Sequence, residues 1–330
     1  MIGTTGSNEQ SSAAPPRLAV IDLRRFTQGD AATRAGFARE VGQALRDEGA
    51  FLLVNSGLAR AVSERALEQA RRFFALPEAE RRRSERRELM GQRGYTSLGR
   101  EHARGYPVPD QKEFFSVGRE LRDATLLGYP PNLWPALPEF KPALVEMFRA
   151  LDACSQVLLR ACAAFLGEPE DRLAGMSRDG DALLRLIHYP PPDPGAPPGA
   201  MRAAAHQDVN LLTLLCDDSA EGVELLRTDG SWLPVRAERG QLLVTSGDML
   251  EHLTNGLVRS ATHRITSPAD SGQDRYSLPF FVHPRNDVDL APLASCLALT
   301  GGTARWGAIR AGELVRRRLA EIGLGLTAGS

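Results

Sequence analysis

Hydrophobic positions divide the chain into a helical first half and a stranded second half. Residues 18–23 (LAVIDL) form a short apolar run that predicts an opening strand. Over 31–48 and 61–74 apolar residues recur at three- and four-residue spacing, which predicts two amphipathic helices stopped by Gly49 and Pro77. A further helix is predicted over 140–166. From about residue 182 the period shortens to two, in segments broken by Gly, Pro and Asp. These are ALLRLIHY (182–189), AAAHQDV (203–209), LLTLLC (211–216), GVELL (222–226), SWLPV (231–235), QLLVTS (241–246), SATHRI (260–265) and RYSLPFFVH (275–283). About eight short strands predict a jelly roll, a cupin-like double-stranded β-helix. Residues 190–199 (PPPDPGAPPG) read as a surface loop within it, and 312–322 (GELVRRRLAEI) as a closing helix.

The expected fold is therefore α+β. A disordered tail over 1–17, rich in Ser, Gly, Ala and Pro, precedes a mainly helical region over 18–178. The jelly-roll core follows over 179–290, and a helical segment over 291–330 ends the chain. Residues 91–118 mix Gly, Pro, aromatic and charged residues, which predicts long loops around short strands, a common place for binding residues. The charge run over 78–88 (EAERRRSERRE) interleaves acids with arginines and holds no aromatic, so it reads as a solvated helix face. No internal repeat and no dinucleotide fingerprint is visible.

Charge and composition narrow the partners. Lys+Arg number 40 and Asp+Glu 41, a formal charge of -1, so nothing draws the chain to nucleic acid or an anionic membrane. A small-molecule ligand is expected. The four cysteines fall in no CxxC pair, which predicts buried free thiols and a cytoplasmic protein. No apolar run reaches the roughly 20 residues of a membrane-spanning helix, and the leader lacks the charged-then-apolar order of a signal peptide.

Three groups of residues carry candidate chemistry. His206 and Asp208 stand two positions apart in a strand-like run, and a period of two puts both on one face. His263 lies in another predicted strand, after a Gly-containing turn, able to return beside them. Two imidazoles and one carboxylate make a facial triad, which leaves coordination positions open and suits iron(II) oxygen chemistry better than a closed structural zinc site. Arg275 and Ser277, again two apart, could clamp a carboxylate, with Tyr189 adding a hydrogen bond.

In this order HQDVNLLTLL, DGSWLPV, GQLLVTSGDMLEHLTNG, SATHR and RYSLPFF resemble the metal and co-substrate segments of the isopenicillin N synthase-like family of iron(II)/2-oxoglutarate-dependent dioxygenases. YTSLGREHARG and DQKEFF are similar to the N-terminal region of its bacterial members. The resemblance implies His206, Asp208 and His263 as iron ligands, with Arg275 and Ser277, supported by Tyr189, as 2-oxoglutarate ligands. It implies that Fe(II), 2-oxoglutarate and O2 are used to oxidise a small molecule, by hydroxylation in the default case, with succinate and carbon dioxide released. Ile187 departs from plant relatives, which commonly have Asn two residues before the tyrosine. Isopenicillin N synthase and aminocyclopropane-carboxylate oxidase share the Arg-x-Ser pair without using 2-oxoglutarate. An iron oxidase of that kind, or a non-enzymatic cupin-like metal-binding protein, therefore stays open at this point.

Phe281 and His283 share the parity of Arg275 and Ser277, and relatives use these positions to contact substrate. Arg93, Tyr95, Arg104, Tyr106 and Lys112 could add a cationic pocket suited to an amino acid or other carboxylate. His102 is a candidate pocket residue, whereas His188 alternates away from Tyr189 and is expected to face outside. Asn210 is a candidate hydrogen-bond partner of the metal ligands. His252 is the nearby rival ligand, but it does not stand at the family's position. Trp232 and Pro234 suit hairpin packing, and Gly247 with Asp248 a tight turn.

Overall fold

The computed structural model describes residues 17–120, 128–193, 195–217, 222–266 and 272–326; the predicted tail, apart from Arg17, lies outside these residues. The chain opens with strand β1 (Val20–Asp22), the short helix α1 (Arg24–Thr27), helix α2 (Ala31–Asp47) and strand β2 (Ala50–Val54). Asp30 caps α2 by accepting the Thr33 N–H at 2.8 Å, and Gly49 ends it at φ +72°, a conformation that costs glycine nothing. Helices α3 (Arg60–Phe74) and α4 (Glu78–Arg82) follow, then strands β3 (Gly94–Thr96) and β4 (Glu113–Gly118). The long helix α5 (Phe140–Phe165) and the short α6 (Asp171–Ser177) complete the first half.

All eight predicted barrel strands form: β5 (Leu183–Tyr189), β6 (Ala203–His206), β7 (Leu212–Asp217), β8 (Val223–Leu226), β9 (Trp232–Val235), β10 (Leu242–Ser246), β11 (His263–Ile265) and β12 (Arg275–Val282). They divide between two sheets. The large one runs β1-β2-β10-β7-β12-β5-β4-β3 and the small one β6-β11-β8-β9. The first half is thus less purely helical than its periodicity predicts. β2, a short buried segment without a clear alternation, is recruited to the large sheet by the distant β10, while β3 and β4, the short strands expected among the loops over 91–118, extend the other edge through β5.

Two apolar regions hold the layers together. One lies between the large sheet and α2, α3 and α5, where Phe37, Phe73, Phe115, Phe140 and Leu144 are fully buried. Removing each such side chain from water contributes about 1.5–3 kcal/mol. The other lies inside the barrel, where Leu52, Ile187, Val223, Leu225 and Leu243 cluster. Helices α7 (Asp248–Leu253), α8 (Ala294–Leu299) and α9 (Ala311–Glu321) pack around the barrel, the last being the predicted closing helix. Among the described residues no helix is long and apolar enough to cross a membrane.

Candidate metal centre and its cavity

Strand pairing brings the three candidate ligands together. His263 of β11 is the register partner of His206 of β6, and their rings lie 4.3 Å apart at the centroids. The register shifts between His263 and Ile265, a bulge of the kind that re-aims a side chain. Asp208 joins them differently from the period-two expectation. β6 ends at His206, and Asp208 sits in the loop beyond it, where the Asp248 N–H donates to its carbonyl at 2.8 Å. Gly247 makes this approach possible: a Cβ there would lie 2.7 Å from the Asp208 carbonyl oxygen and 2.3 Å from Asn210 Oδ1. The predicted turn at Gly247 and Asp248 is therefore the start of α7, stitched to the metal loop.

The donor set is prepared for a cation. One ligand atom from each of His206, Asp208 and His263 lies within 4.8 Å of the others. His206 Nε2 is 3.8 Å from Asp208 Oδ1, and His263 Nε2 is 4.0 Å from Oδ2. Each imidazole has Nδ1 against a backbone carbonyl, Ala204 at 2.7 Å and Ala261 at 3.1 Å. With Nδ1 donating to the carbonyl, Nε2 is left to turn a lone pair, like the Asp208 oxygens, toward the centre of the three side chains. Burial, and next the charge of His263, hold the His206 imidazole down at about 4, so it is neutral at pH 7. Burial alone would raise the Asp208 carboxyl, but His263, His206 and the Thr213 hydroxyl outweigh it and keep it ionised. That hydroxyl donates to Asp208 Oδ2 at 2.6 Å and accepts from Asn210 Nδ2 at 2.8 Å. Asn210 is thus the expected partner, acting through Thr213, which in sequence looks like any core strand residue. Two imidazoles and one carboxylate fit a divalent ion with coordination positions left for other ligands.

The three side chains line a cavity of about 290 Å³ inside the barrel, together with Tyr189, Ser277, Phe281 and His283. Arg275 faces Tyr189 across the β12–β5 pair, and its guanidinium carbon lies 4.9 Å from the tyrosine ring centroid. Arg275 is buried without being among the lining residues, while Ser277 lines the cavity opposite Ile187.

Other expectations divide. His102, Arg104 and Lys112 reach the cavity, with Lys112 held by Glu101 at 2.6 Å and Asp110 at 2.9 Å. Arg93 and Tyr95 do not, contrary to their expected place in a substrate pocket. The Arg93 guanidinium is buried in bonds to Asp181 at 2.6 Å and the Pro130 carbonyl at 3.1 Å. Tyr95 packs edge-on to Phe73 and donates its hydroxyl to Glu113. Tyr106 donates to the Gly199 carbonyl and is also absent from the wall. His188 does point away from the cavity but is buried rather than outside, bonded to Glu113 and Asp274 at 2.8 Å each and stacked on Tyr276. His252 stacks on Trp306, apart from the three ligands. Trp232 lies under the Arg264 guanidinium, as hairpin packing predicts. The charge run over 78–88 is largely solvated, except that Arg81 turns inward to Glu113 at 2.6 Å. Glu101, Arg185 and three residues of α9, Val315, Arg318 and Leu319, also line the cavity, and no local pattern in the sequence marks them.

Two imidazoles and a carboxylate inside a double-stranded β-helix define the class of mononuclear non-haem iron oxygenases. Comparison with known proteins gives the family. Residues 18–137 match the model "non-haem dioxygenase in morphine synthesis N-terminal", and residues 180–284 match that of the 2OG-Fe(II) oxygenase superfamily. A 2-oxoglutarate-Fe(II) type oxidoreductase of Aspergillus fumigatus is 29% identical over 273 residues, 79% of this chain and 80% of the relative. Homoarginine-6-hydroxylase of Arabidopsis thaliana is 31% identical over 296 residues, 84% and 88% of the two chains. The crystal structure of a full-length Neurospora crassa protein in complex with alpha-KG and thymine superposes with a TM-score of 0.81 at 26% identity and covers 92% of this chain and 96% of that one. The chain belongs to the 2-oxoglutarate-Fe(II) oxygenase family. It is an oxidoreductase that uses iron(II), 2-oxoglutarate and dioxygen on a small molecule, rather than an iron oxidase without 2-oxoglutarate or a non-enzymatic metal-binding protein.

Proposed function

We propose that His206, Asp208 and His263 hold the iron(II), and that Arg275, Ser277 and Tyr189 hold the far carboxylate of 2-oxoglutarate. The observation that carries this is the pairing of β11 with β6 at His263 and His206, in the same barrel where β12 meets β5 at Arg275 and Tyr189. Bound iron(II) supplies the oxidising chemistry, in which dioxygen and 2-oxoglutarate yield succinate, carbon dioxide and an oxidised C–H bond. The protein's own groups set the geometry. Ala204 and Ala261 carbonyls orient the imidazoles, Thr213 orients Asp208, and Leu183, Ile187 and Phe281 keep the reacting end dry. Hydroxylation is the reaction, with Phe281 and His283 against the substrate.

The substrate class proposed is an amino acid or other carboxylate. Arg185 and Lys112 on the wall support it, and a related plant enzyme is named for homoarginine. The buried free thiols Cys154, Cys162 and Cys296 support a cytoplasmic location. Anaerobic titration with iron(II) and then 2-oxoglutarate tests the site: a visible charge-transfer band is expected in the wild type and not in Asp208→Ala. The same band at full intensity in Asp208→Ala would overturn the ligand assignment.

A further inference from the structure

Leu183, Arg185, Ile187 and Tyr189 alternate along the inner face of β5 and all line the cavity. Tyr189 belongs to the Arg275 end; Arg185 stands two inward positions away from it, toward Phe281 and His283. Its guanidinium carbon lies 4.0 Å from the Phe114 ring centroid and 5.3 Å from that of Phe281. Its polar contacts are long: Nε to Ser116 Oγ at 3.3 Å and Nη1 to Glu101 Oε2 at 3.3 Å. Lys112, by contrast, binds Glu101 Oε1 at 2.6 Å and Asp110 at 2.9 Å, and Asp110 also accepts the Ala204 N–H at 2.9 Å. Arg185 is therefore the loosely held member of a buried four-charge cluster whose other members are fixed.

Apart from Asp208 at the metal end, the charges in this wall cancel. Glu101 and Asp110 balance Lys112 and Arg185, while the other lining cations, Arg104 and Arg318, face Glu321 at 3.2 Å and Asp248 at 2.7 Å. A carboxylate docking on Arg185 would meet the Glu101 carboxylate at close range inside the barrel, where a repulsion between buried groups is weakly screened. A net-neutral molecule meets no such cost. Its carbonyl or carboxylate oxygen can take Arg185 while a neighbouring N–H takes Glu101, leaving the existing pair in place. His283 adds no charge, since burial holds its imidazole down at about 4, and its buried Nδ1 has no hydrogen-bond partner.

We propose that Arg185 and Glu101 form the substrate-recognition pair of the cavity, selecting net-neutral molecules that present an N–H beside a C=O or carboxylate oxygen, with Phe281 against the ligand body. This rests on the oxygenase site proposed above and revises its substrate class: the amino acid is kept as a zwitterion, a molecule with an amide edge is added, and a simple carboxylate is excluded.

Saturation-transfer NMR on the full chain tests it without needing iron, and the iron and 2-oxoglutarate titration reports separately on the metal site. The probes are L-proline for the zwitterion, succinimide for the amide edge and cyclopentanecarboxylate for an anion of similar size. One or both of the first two should bind at least tenfold more tightly than the anion, and whichever binds identifies the edge recognised. In Arg185→Met that binding should fall at least tenfold while 2-oxoglutarate affinity stays within twofold. Glu101→Gln should admit cyclopentanecarboxylate at least tenfold more tightly, a gain that a collapsed cavity could not produce. Binding of neither neutral probe, equal binding of the anion, or unchanged selectivity in Glu101→Gln would each overturn the proposal.

Discussion

The two faces of β5 show how one strand serves two purposes. Inward, Arg185 and Tyr189 join Lys112, Glu101 and the metal ligands around the cavity. Outward, His188 enters a separate polar cluster in which Glu113 accepts from His188, Tyr95 and Arg81. Both sets are buried and charged, and both bridge the first half of the chain to the barrel. They differ in what is left over. The outward cluster closes on itself beneath Phe74 and Tyr276, whereas the inward one lines the cavity and holds Arg185 by polar contacts of 3.3 Å. Buried charge alone therefore does not mark a binding site; the proposed recognition pair differs in standing beside a cavity with one member loosely tied.

Substitutions on the two faces should separate binding from stability. The largest effect is expected from Asp208→Ala, which should abolish iron-dependent turnover, measured as succinate release. Arg275→Ala should weaken 2-oxoglutarate binding by about 2–5 kcal/mol, the usual cost of breaking a buried charge pair, with iron binding retained. Unchanged 2-oxoglutarate affinity would reject the clamp. Thr213→Val removes the hydroxyl that orients Asp208 and should lower metal affinity roughly 10- to 100-fold in a competition titration with a chelator. A value equal to wild type would show that the Thr213 bond plays no part in holding Asp208.

On the outward face, Glu113→Gln should leave iron and 2-oxoglutarate binding unchanged and cost about 1–3 kcal/mol of folding stability at neutral pH. Burial acts to raise the Glu113 carboxyl, but bonds from His188 and Tyr95 and the charge of Arg81 outweigh it and lower it below its ordinary value. The stabilisation is then present above the ordinary carboxylate value and is lost as pH falls through the lowered one. The gap between wild type and Glu113→Gln in thermal unfolding should accordingly narrow under acid. A constant gap from pH 7 to 3 would break the contrast between the faces.

Much of the site could be read locally, since strand alternation and residue type are properties of short segments. His206, Asp208 and His263 carried enough donor chemistry to suggest a metal, and the parity of Ser277 and Phe281 along β12, continued by His283 just past its end, held in three dimensions. The edges of elements were less legible. Asp208 reaches the centre from a loop, through backbone bonds to α7 that no alternation encodes.

Local pattern was enough for the main helices, the eight barrel strands and the candidate metal and co-substrate residues, because each depends on periodicity or donor type within a few residues. Which charges stand free to act was a matter of packing. Arg93 and Tyr95, in a loop-rich segment that suggested binding, are consumed by Asp181 and Glu113. Arg185 and Glu101, far apart in the chain and unremarkable in it, meet across the cavity wall. Whether a charged side chain binds a ligand or holds the fold depends on its partners, and those partners are brought in by pairings between distant strands.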